Sequence, residues 1–467
     1  MTNHGTEPMD PEEISADRLR HESEGTSDSD SQVGRVSRRS VLKGLALGTG
    51  YASFGGVASA ILAACGSGPA QTASSAKAPS PKTFTGKLTV WHYFSAPTQV
   101  AMMNDYAALF EAAYPHVRVE NVYVPYEQLP EKLTAAAGAN SGPDVTLDNG
   151  GDTTQLAQAG VFRNITSEWA SYPERNQFHP SVLKYFGGNL YAIQGYVNLL
   201  GLWYNSNLLA QAGVSPPRTF DDLTAAMGKI KAKKPSVIPL TLTGEPSAEA
   251  EWQAYPWLSG FGWSYSAPKL QPLLSTFSLI DEWVSKGYIP REAVTWGQTA
   301  PFQRFAVGNV LFAENGNWQT ATAKQDAKFP YDVAPLPTGP EGGKIYLGGE
   351  AWGVGAFSKI PDIAWAYIET CILGKKGQLI PFKDVGSIPS RLDIVDLPEV
   401  KASKLLAPFA AEVSSRGTSY PPNVHPTKIT NAELVVSKNW SALIAGQINV
   451  RQAAHATLSG VESALGQ

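Results

Sequence analysis

The sequence predicts an α/β fold divided between two lobes, each a sheet flanked by helices, with a cleft where the chain passes from one lobe to the other. Three observations carry this. The chain has 467 residues, too many for one ordinary core. Between Gly86 and Gly160 strand and helix patterns alternate, the order of an open parallel sheet with helices on both faces. The stretch Gly187–Gly213 reads as a strand interrupted once, at Gly195-Tyr196, before a buried-type run resumes at Val197–Tyr204. A single break in an otherwise continuous strand suits a chain leaving one lobe for another.

The elements follow in order. Residues 1–64 read as a targeting segment. Ser37-Arg38-Arg39-Ser40-Val41-Leu42-Lys43 resembles the twin-arginine export signal, and Leu62-Ala63-Ala64-Cys65-Gly66 resembles a bacterial lipobox. That resemblance implies that the Cys65 thiol takes a diacylglyceryl group and becomes the mature N-terminus. The alternative is a transmembrane helix, but the span is rich in Gly and Ser and poor in Leu and Phe. About 35 polar, acidic residues precede the arginines; they read as disordered, or the start codon lies downstream. Residues 65–85 read as a flexible tether. Gly86–Phe94 reads as a first strand and Met103, Ala107 and Phe110 as a helix face. Val117–Val124 is a strand, Tyr126–Ala139 a helix, Asp144–Leu147 a strand and Thr153–Gly160 a helix. Beyond the break come a short helix ending at Gly213 and a helix over Thr219–Lys234, with Thr219 as N-cap and Asp221-Asp222 in its first turn. A strand at Val237–Leu242 follows, then helices at Glu249–Gly262 and Pro272–Gly287.

Composition narrows the function. The apolar share of 43% and charged share of 17% are those of a soluble globular protein. Residues 1–64 hold nine acids and six bases, leaving 32 acids and 31 bases in the rest. No basic patch stands out, which argues against nucleic acid. Of 12 tryptophans, six lie between Trp252 and Trp318, where they serve either as core or as flat surfaces for a sugar ring. Cys371, in an apolar helix pattern over Ala364–Leu373, has no disulfide partner if Cys65 is acylated. His92, His116, His179, His425 and His455 have no metal-ligand spacing, and His92 reads as a packed or capping residue. No phosphate-cradling loop, complete dinucleotide fingerprint or G-x-S-x-G elbow is present. No cofactor is expected.

Several stretches together resemble one family. GGNLYAIQGYVNLLGLWYNSNLLAQAG resembles the "GKLYALP…LYYNKDLFEKAG" segment of the extracellular solute-binding proteins of ABC importers, the maltose-binding-like or family 1 type. Five further matches follow the family's order: LTVWHYF with FEAAYPHVRV, GPDVTLDNGG with LAQAGVFRNIT, Asn315-Gly316-Asn317-Trp318, Val333–Ser358, and Gly386–Arg391. The resemblance covers Gly86 to the C-terminus. It implies a type II periplasmic-binding-protein-like fold with three crossings, near Gly195–Val197, Gly348–Ala351 and Gly386–Ser390. Lobe 1 would hold 86–195 and 352–386, and lobe 2 would hold 196–351 and 387–467. It also implies a monomeric, lipid-anchored extracytoplasmic receptor that is no enzyme. Such a receptor passes a sugar or related polyol to ABC permease transmembrane subunits.

A sugar offers hydroxyls around apolar C–H faces, so its site needs planar polar side chains and aromatic plates. These should cluster at strand carboxyl ends and at the crossings. Phe94 ends the first strand, and Ser95 follows it. Asp148, Asn149 and Asp152 follow the third, where they either face the cleft or serve Asx turns around Gly150-Gly151. Tyr196 and Asn198 lie at the first crossing, Glu350 and Trp352 at the second. The resemblance further implies ligand contacts from Glu245, Trp257 and Trp318, with packing as the alternative for the indoles. Asn431 stands where maltose-binding-type members carry a stacking tryptophan. Ala96 lies near the place of their lysine, so a maltose pocket is not inherited. The rival class is a surface glycoside hydrolase using Glu245, Glu249 and Glu251 beside Trp252 and Trp257. A third reading is a structural lipoprotein without ligand.

Overall fold

Two sets of apolar strands each bury their faces against helices. The computed structural model describes residues 80–422, 424 and 428–467. The targeting segment, Cys65, the tether as far as residue 79, and His425 lie outside the described residues. The strands are β1 (Gly86–His92), β2 (Val117–Tyr123), β3 (Val145–Asn149), β4 (Leu183–Phe186), β5 (Asn189–Gln194), β6 (Tyr196–Val197) and β7 (Leu200–Asn205). They continue with β8 (Ile238–Thr241), β9 (Val310–Gly316), β10 (Tyr331–Ala334), β11 (Ile345–Leu347), β12 (Glu350–Val354), β13 (Ile388–Pro389) and β14 (Gly417–Ser419).

Lobe 1 carries the six-stranded sheet β2-β1-β3-β12-β5-β4, and lobe 2 the four-stranded sheet β10-β7-β9-β8. β1 is parallel to β2 and β3, as the alternating order predicts. The sheet as a whole is mixed rather than parallel, because β12 runs antiparallel to both β3 and β5. The reason is topological: β3 and β5 run toward the other lobe, whereas β12 returns from it. β4 escapes the sequence patterns. It is a short edge strand, held as the hairpin partner of β5 by a turn at Gly187-Gly188, φ 56° and 81°.

Helix ends follow local chemistry. Thr219 caps the Phe220–Lys233 helix, its hydroxyl accepting from the Asp222 N–H while the Asp222 side chain caps back. Gly213, φ 70°, ends the Ser206–Ala212 helix. Cys371 is buried in a π-helical turn, Ile368–Leu373, and its thiol donates to the Tyr106 carbonyl at 3.2 Å. The 17-residue helix Ile429–Ala445 does not stand out in the sequence. It packs along the Val450–Leu465 helix. Among the described residues, no helix is long and apolar enough to cross a membrane.

Three connections meet between the lobes. β5 passes through Gly195 into β6, which pairs with β13. Asn198 and Gly348 exchange both backbone hydrogen bonds at 2.9 Å. Gly349 has φ 116°, and a Cβ there would stand 2.5 Å from the Tyr196 carbonyl oxygen, so only glycine suits this crossing. The Asn317 side chain ties all this to lobe 2: its carbonyl accepts from the Leu199 N–H at 2.9 Å. Its amide donates to Asn198 Oδ1 and the Gly386 carbonyl, each at 3.0 Å. The third connection is not a single step. After Gly386 touches lobe 2, Arg391 returns to lobe 1, where its guanidinium finds the acceptors it needs. Residues 390–393 therefore pack with lobe 1, beyond the expected boundary at 387.

Glu314 stands in the fully buried strand β9, and burial pushes its carboxyl up to about 8. A folded-state value above the unfolded one gives stability that is complete below about pH 4.5 and is lost as pH rises through about 8. Thermal melting from pH 5 to pH 9 should show the parent weakening across this window. Glu314→Gln should match the parent near pH 5 and melt higher at pH 8; equal pH slopes for the two proteins would refute this.

Candidate functional site

The carboxyl ends of β1 and β3, the start of β12 and three segments of lobe 2 enclose a cavity of about 450 Å³. This is the place where open α/β sheets present ligand groups, and the volume is that of a small-molecule site. From lobe 1 come Tyr93 after β1, Tyr126, Asn149 at the end of β3, Asp152 just beyond it, and Glu350 opening β12, which joins the lobe 1 sheet two residues before the expected boundary at 352. From lobe 2 come Glu249 and Trp252 in the first turns of the Ala248–Ser259 helix, and Trp318 just after β9. Tyr420 beyond β14 and Thr430 and Glu433 in the Ile429–Ala445 helix complete that side. Asn198, Gly348 and Gly349 line it at the crossings.

Aromatic rings stand on both walls. Tyr93 and Tyr126 meet edge to face with centroids 4.9 Å apart. Trp252 lies 5.7 Å from Trp318 and 6.3 Å from Tyr420. The Trp318 ring folds back over Gly316, where a Cβ would lie 1.9 Å from Cζ3. Glycine at 316 is therefore what lets the indole reach this position. Across the lobes, buried Lys184 of β4 donates to the Tyr420 carbonyl. Burial pulls the Lys184 ammonium down to about 8 against the opposing pull of Asp148.

The acids divide by environment. Tyr93 donates to Glu350 Oε1 at 2.9 Å, and burial raises the Glu350 carboxyl from its ordinary range. Burial likewise raises Asp152 and Glu433. Glu251 lies fully buried behind the wall, accepting from the Tyr265 hydroxyl at 2.7 Å. Burial and then the charge of Glu433 raise it.

Of the residues singled out by sequence, Asn149, Asn198, Trp318 and Glu350 line the cavity, as does Asp152. Asn149 combines both readings of its loop: its carbonyl accepts from the Gly151 N–H at 3.0 Å as an Asx turn, and its amide donates to the Tyr126 hydroxyl. The Asn198 carbonyl is taken by Asn317 and Ser387, which leaves its amide protons as the donors for a ligand.

The others lie elsewhere. Asp148 turns inward and accepts from the Thr153 hydroxyl at 2.6 Å, because alternation along β3 puts it on the opposite face from Asn149. Phe94 is core, Ser95 is exposed outside the cavity, and their neighbour Tyr93 lines it instead. Tyr196 is buried behind Glu350. Trp257 is core between Phe220 and Trp283, and Trp352 is core against Tyr106. Glu245 and Asn431 are exposed away from the cavity, and Thr430 takes the place expected of Asn431. His92 is buried and caps the chain, its Nδ1 accepting from the Phe94 N–H at 3.2 Å. The three glutamates of the hydrolase reading go separate ways: Glu245 to solvent, Glu249 to the cavity, Glu251 into the core.

Sequence reasoning missed Tyr126, Tyr420 and Glu433 altogether. Tyr126 opens the segment before the second helix, and its aromatic ring two residues past a strand was the available signal. Tyr420 and Glu433 carried none. Among the described residues no cluster of metal-ligating side chains forms.

Residues 105–408 match the family model described as bacterial extracellular solute-binding protein. The melibiose/raffinose/stachyose-binding protein MelE of Bacillus subtilis is 23% identical over 339 residues, 68% of this chain and 77% of that one. The maltodextrin-binding protein MdxE of the same organism is 26% identical over 271 residues, 52% of this chain and 60% of that one. The crystal structure of the cyclic α-maltosyl-1,6-maltose binding protein from Arthrobacter globiformis aligns with a TM-score of 0.72 at 21% identity. It covers 82% of this chain and 99% of that one. At that identity the likeness shows the fold: two lobes of the periplasmic-binding-protein type with the cleft between them.

Proposed function

The chain belongs to the bacterial extracellular solute-binding protein family, and we propose that it is the receptor of an ABC importer, binding a sugar or related polyol between its lobes. It hands that ligand to the permease's transmembrane subunits and does no chemistry on it. The observation that supports this most is the cavity itself, with aromatic plates and polar side chains on both walls and three crossings behind it. A ligand touching both walls favours the closed arrangement by whatever affinity it gains there. The relatives named above bind oligosaccharides, which points to the same class.

Thermal shift and tryptophan fluorescence over a broad panel of mono-, di- and oligosaccharides test this. A receptor should be stabilised by at least one of them, and chromatography should recover that sugar intact. No response to the whole panel, or cleavage of the sugar, would sink the reading.

The receptor acts as a monomer held to the outer face of the membrane through acylated Cys65, with the Ala/Ser/Pro-rich stretch as its tether. Cys65→Ser should move the protein from the membrane fraction to the soluble one. Continued membrane retention of an uncleaved chain would favour the transmembrane alternative.

A further inference from the structure

Among the described residues the charges around the cavity are one-sided. Asp152 and Glu350 line it from lobe 1, Glu249 and Glu433 from lobe 2, and among the described residues no Lys or Arg lines it at all. Lys184 stays behind the wall, engaged with the Tyr420 carbonyl. Burial holds Asp152, Glu350 and Glu433 toward their neutral forms; sugar hydroxyls bring no charge that changes this, whereas a cation in the closing, water-poor space favours the ionised carboxylates.

A second feature points to the missing partner. Glu433 is only 1% exposed, lines the cavity, and its Oε1 has no hydrogen-bond partner among the described residues. Glu350 Oε2 is buried too, with only the Tyr196 hydroxyl behind this carboxyl on the side away from Tyr93. A buried carboxylate is retained at low cost only when a donor or cation meets it. The aromatic rings serve the same end. Trp252, Trp318 and Tyr420 face Tyr93 and Tyr126 across the space, and ring faces attract cations as well as C–H surfaces.

We propose that the ligand is an amine-bearing saccharide, whose protonated amino group sits between Glu433 and Glu350 while its ring stacks on the Trp252–Trp318 wall. This rests on the reading of the chain as a saccharide receptor and narrows it.

A matched series isolates the amine. Cellobiose, N,N′-diacetylchitobiose and chitobiose share one β-1,4 skeleton and carry hydroxyl, acetamido and free amino groups at C2. The same comparison is made with trehalose and its 2-amino derivative, to cover an α linkage. Titration calorimetry near neutral pH should show an amino sugar binding about tenfold or more tighter than its neutral counterparts. That advantage should shrink when NaCl is raised from about 0.02 M to about 0.5 M. Glu433→Gln and Glu350→Gln, each checked for folding by melting, should lose more affinity for the amino sugar than for the neutral one. Equal or tighter binding of neutral sugars would overturn the amine proposal and leave the saccharide receptor standing. Binding of spermidine with no response to any saccharide, or no binding across the broad panel, would overturn both.

Discussion

Arg391→Ala should destabilise the protein by about 2–3 kcal/mol, the cost of losing charge-assisted hydrogen bonds to the buried Leu373 carbonyl and Tyr172 hydroxyl and to the part-exposed Asp393 and Glu174 carboxylates. The Arg391 side chain is 0% exposed. Its Nε and Nη2 form a two-pronged pair with Asp393 at 2.9 Å each. Its Nη1 donates to Glu174 at 3.0 Å, to the Leu373 carbonyl at 2.9 Å and to the Tyr172 hydroxyl at 3.2 Å. The guanidinium also lies 5.5 Å from the Phe178 ring centre. One side chain thus ties the segment after β13 to two distant parts of lobe 1. Arg391→Lys keeps the charge but not the fork, so it should recover only part of the loss. Acid sensitivity should change as well. Hydrogen bonds from Arg391 hold the Asp393 and Glu174 carboxyls below their usual range. Depressed values contribute stability above the ordinary carboxylate pKa of about 4, lost as pH falls through the folded value. Denaturant melts at pH 7 and pH 3 measure both effects. A loss under 1 kcal/mol at pH 7, or an unchanged acid slope, would show that Arg391 is not the anchor described.

Trp318→Ala should cost ligand affinity, not the fold. Removing one aromatic plate from a sugar face is worth on the order of 1–3 kcal/mol, tenfold or more in Kd. Truncating a fully buried indole would instead cost about 3–5 kcal/mol of stability. Trp318 is half-buried, packed on one side against Trp252 and open to the cavity on the other, so most of its loss should fall on binding. Gly316→Ala is the independent check: its new methyl would occupy the place of the Trp318 ring and should weaken binding in the same direction. The comparison uses whichever sugar binds the parent. Early unfolding of Trp318→Ala, or unchanged affinity in both variants, would assign Trp318 to packing.

Much of the architecture was legible because it rests on local rules. The Gly195-Tyr196 break, the Thr219 cap and the Gly213 stop each follow from residues within a few positions of one another. The antiparallel course of β12 was not legible, since it depends on where the chain re-enters lobe 1.

The site was legible only to within a residue or two. Alternation and helical spacing tell that Tyr93 and Phe94, Asp148 and Asn149, or Glu249 and Glu251 point different ways. Which of each pair meets the cleft depends on what the other face packs against. Phe94 is buried in the lobe 1 core. Thr153 claims Asp148, and Tyr265 claims Glu251. Trp252 and Trp257 fall on different faces of one helix; Phe220 and Trp283 enclose the second and leave the first to the cavity. By itself the sequence determined the alternating elements of lobe 1 and the break at Gly195-Tyr196, because these follow from short-range pattern and turn chemistry, while its resemblance to the solute-binding family supplied the fold family and the neighbourhood of the other crossings. Only the tertiary structure decided which side chains share the cavity, because Tyr420, Thr430 and Glu433 reach it from a segment far along the chain from Tyr93 and Asn149. The one-sided charge of its described lining exists only once those segments are brought together.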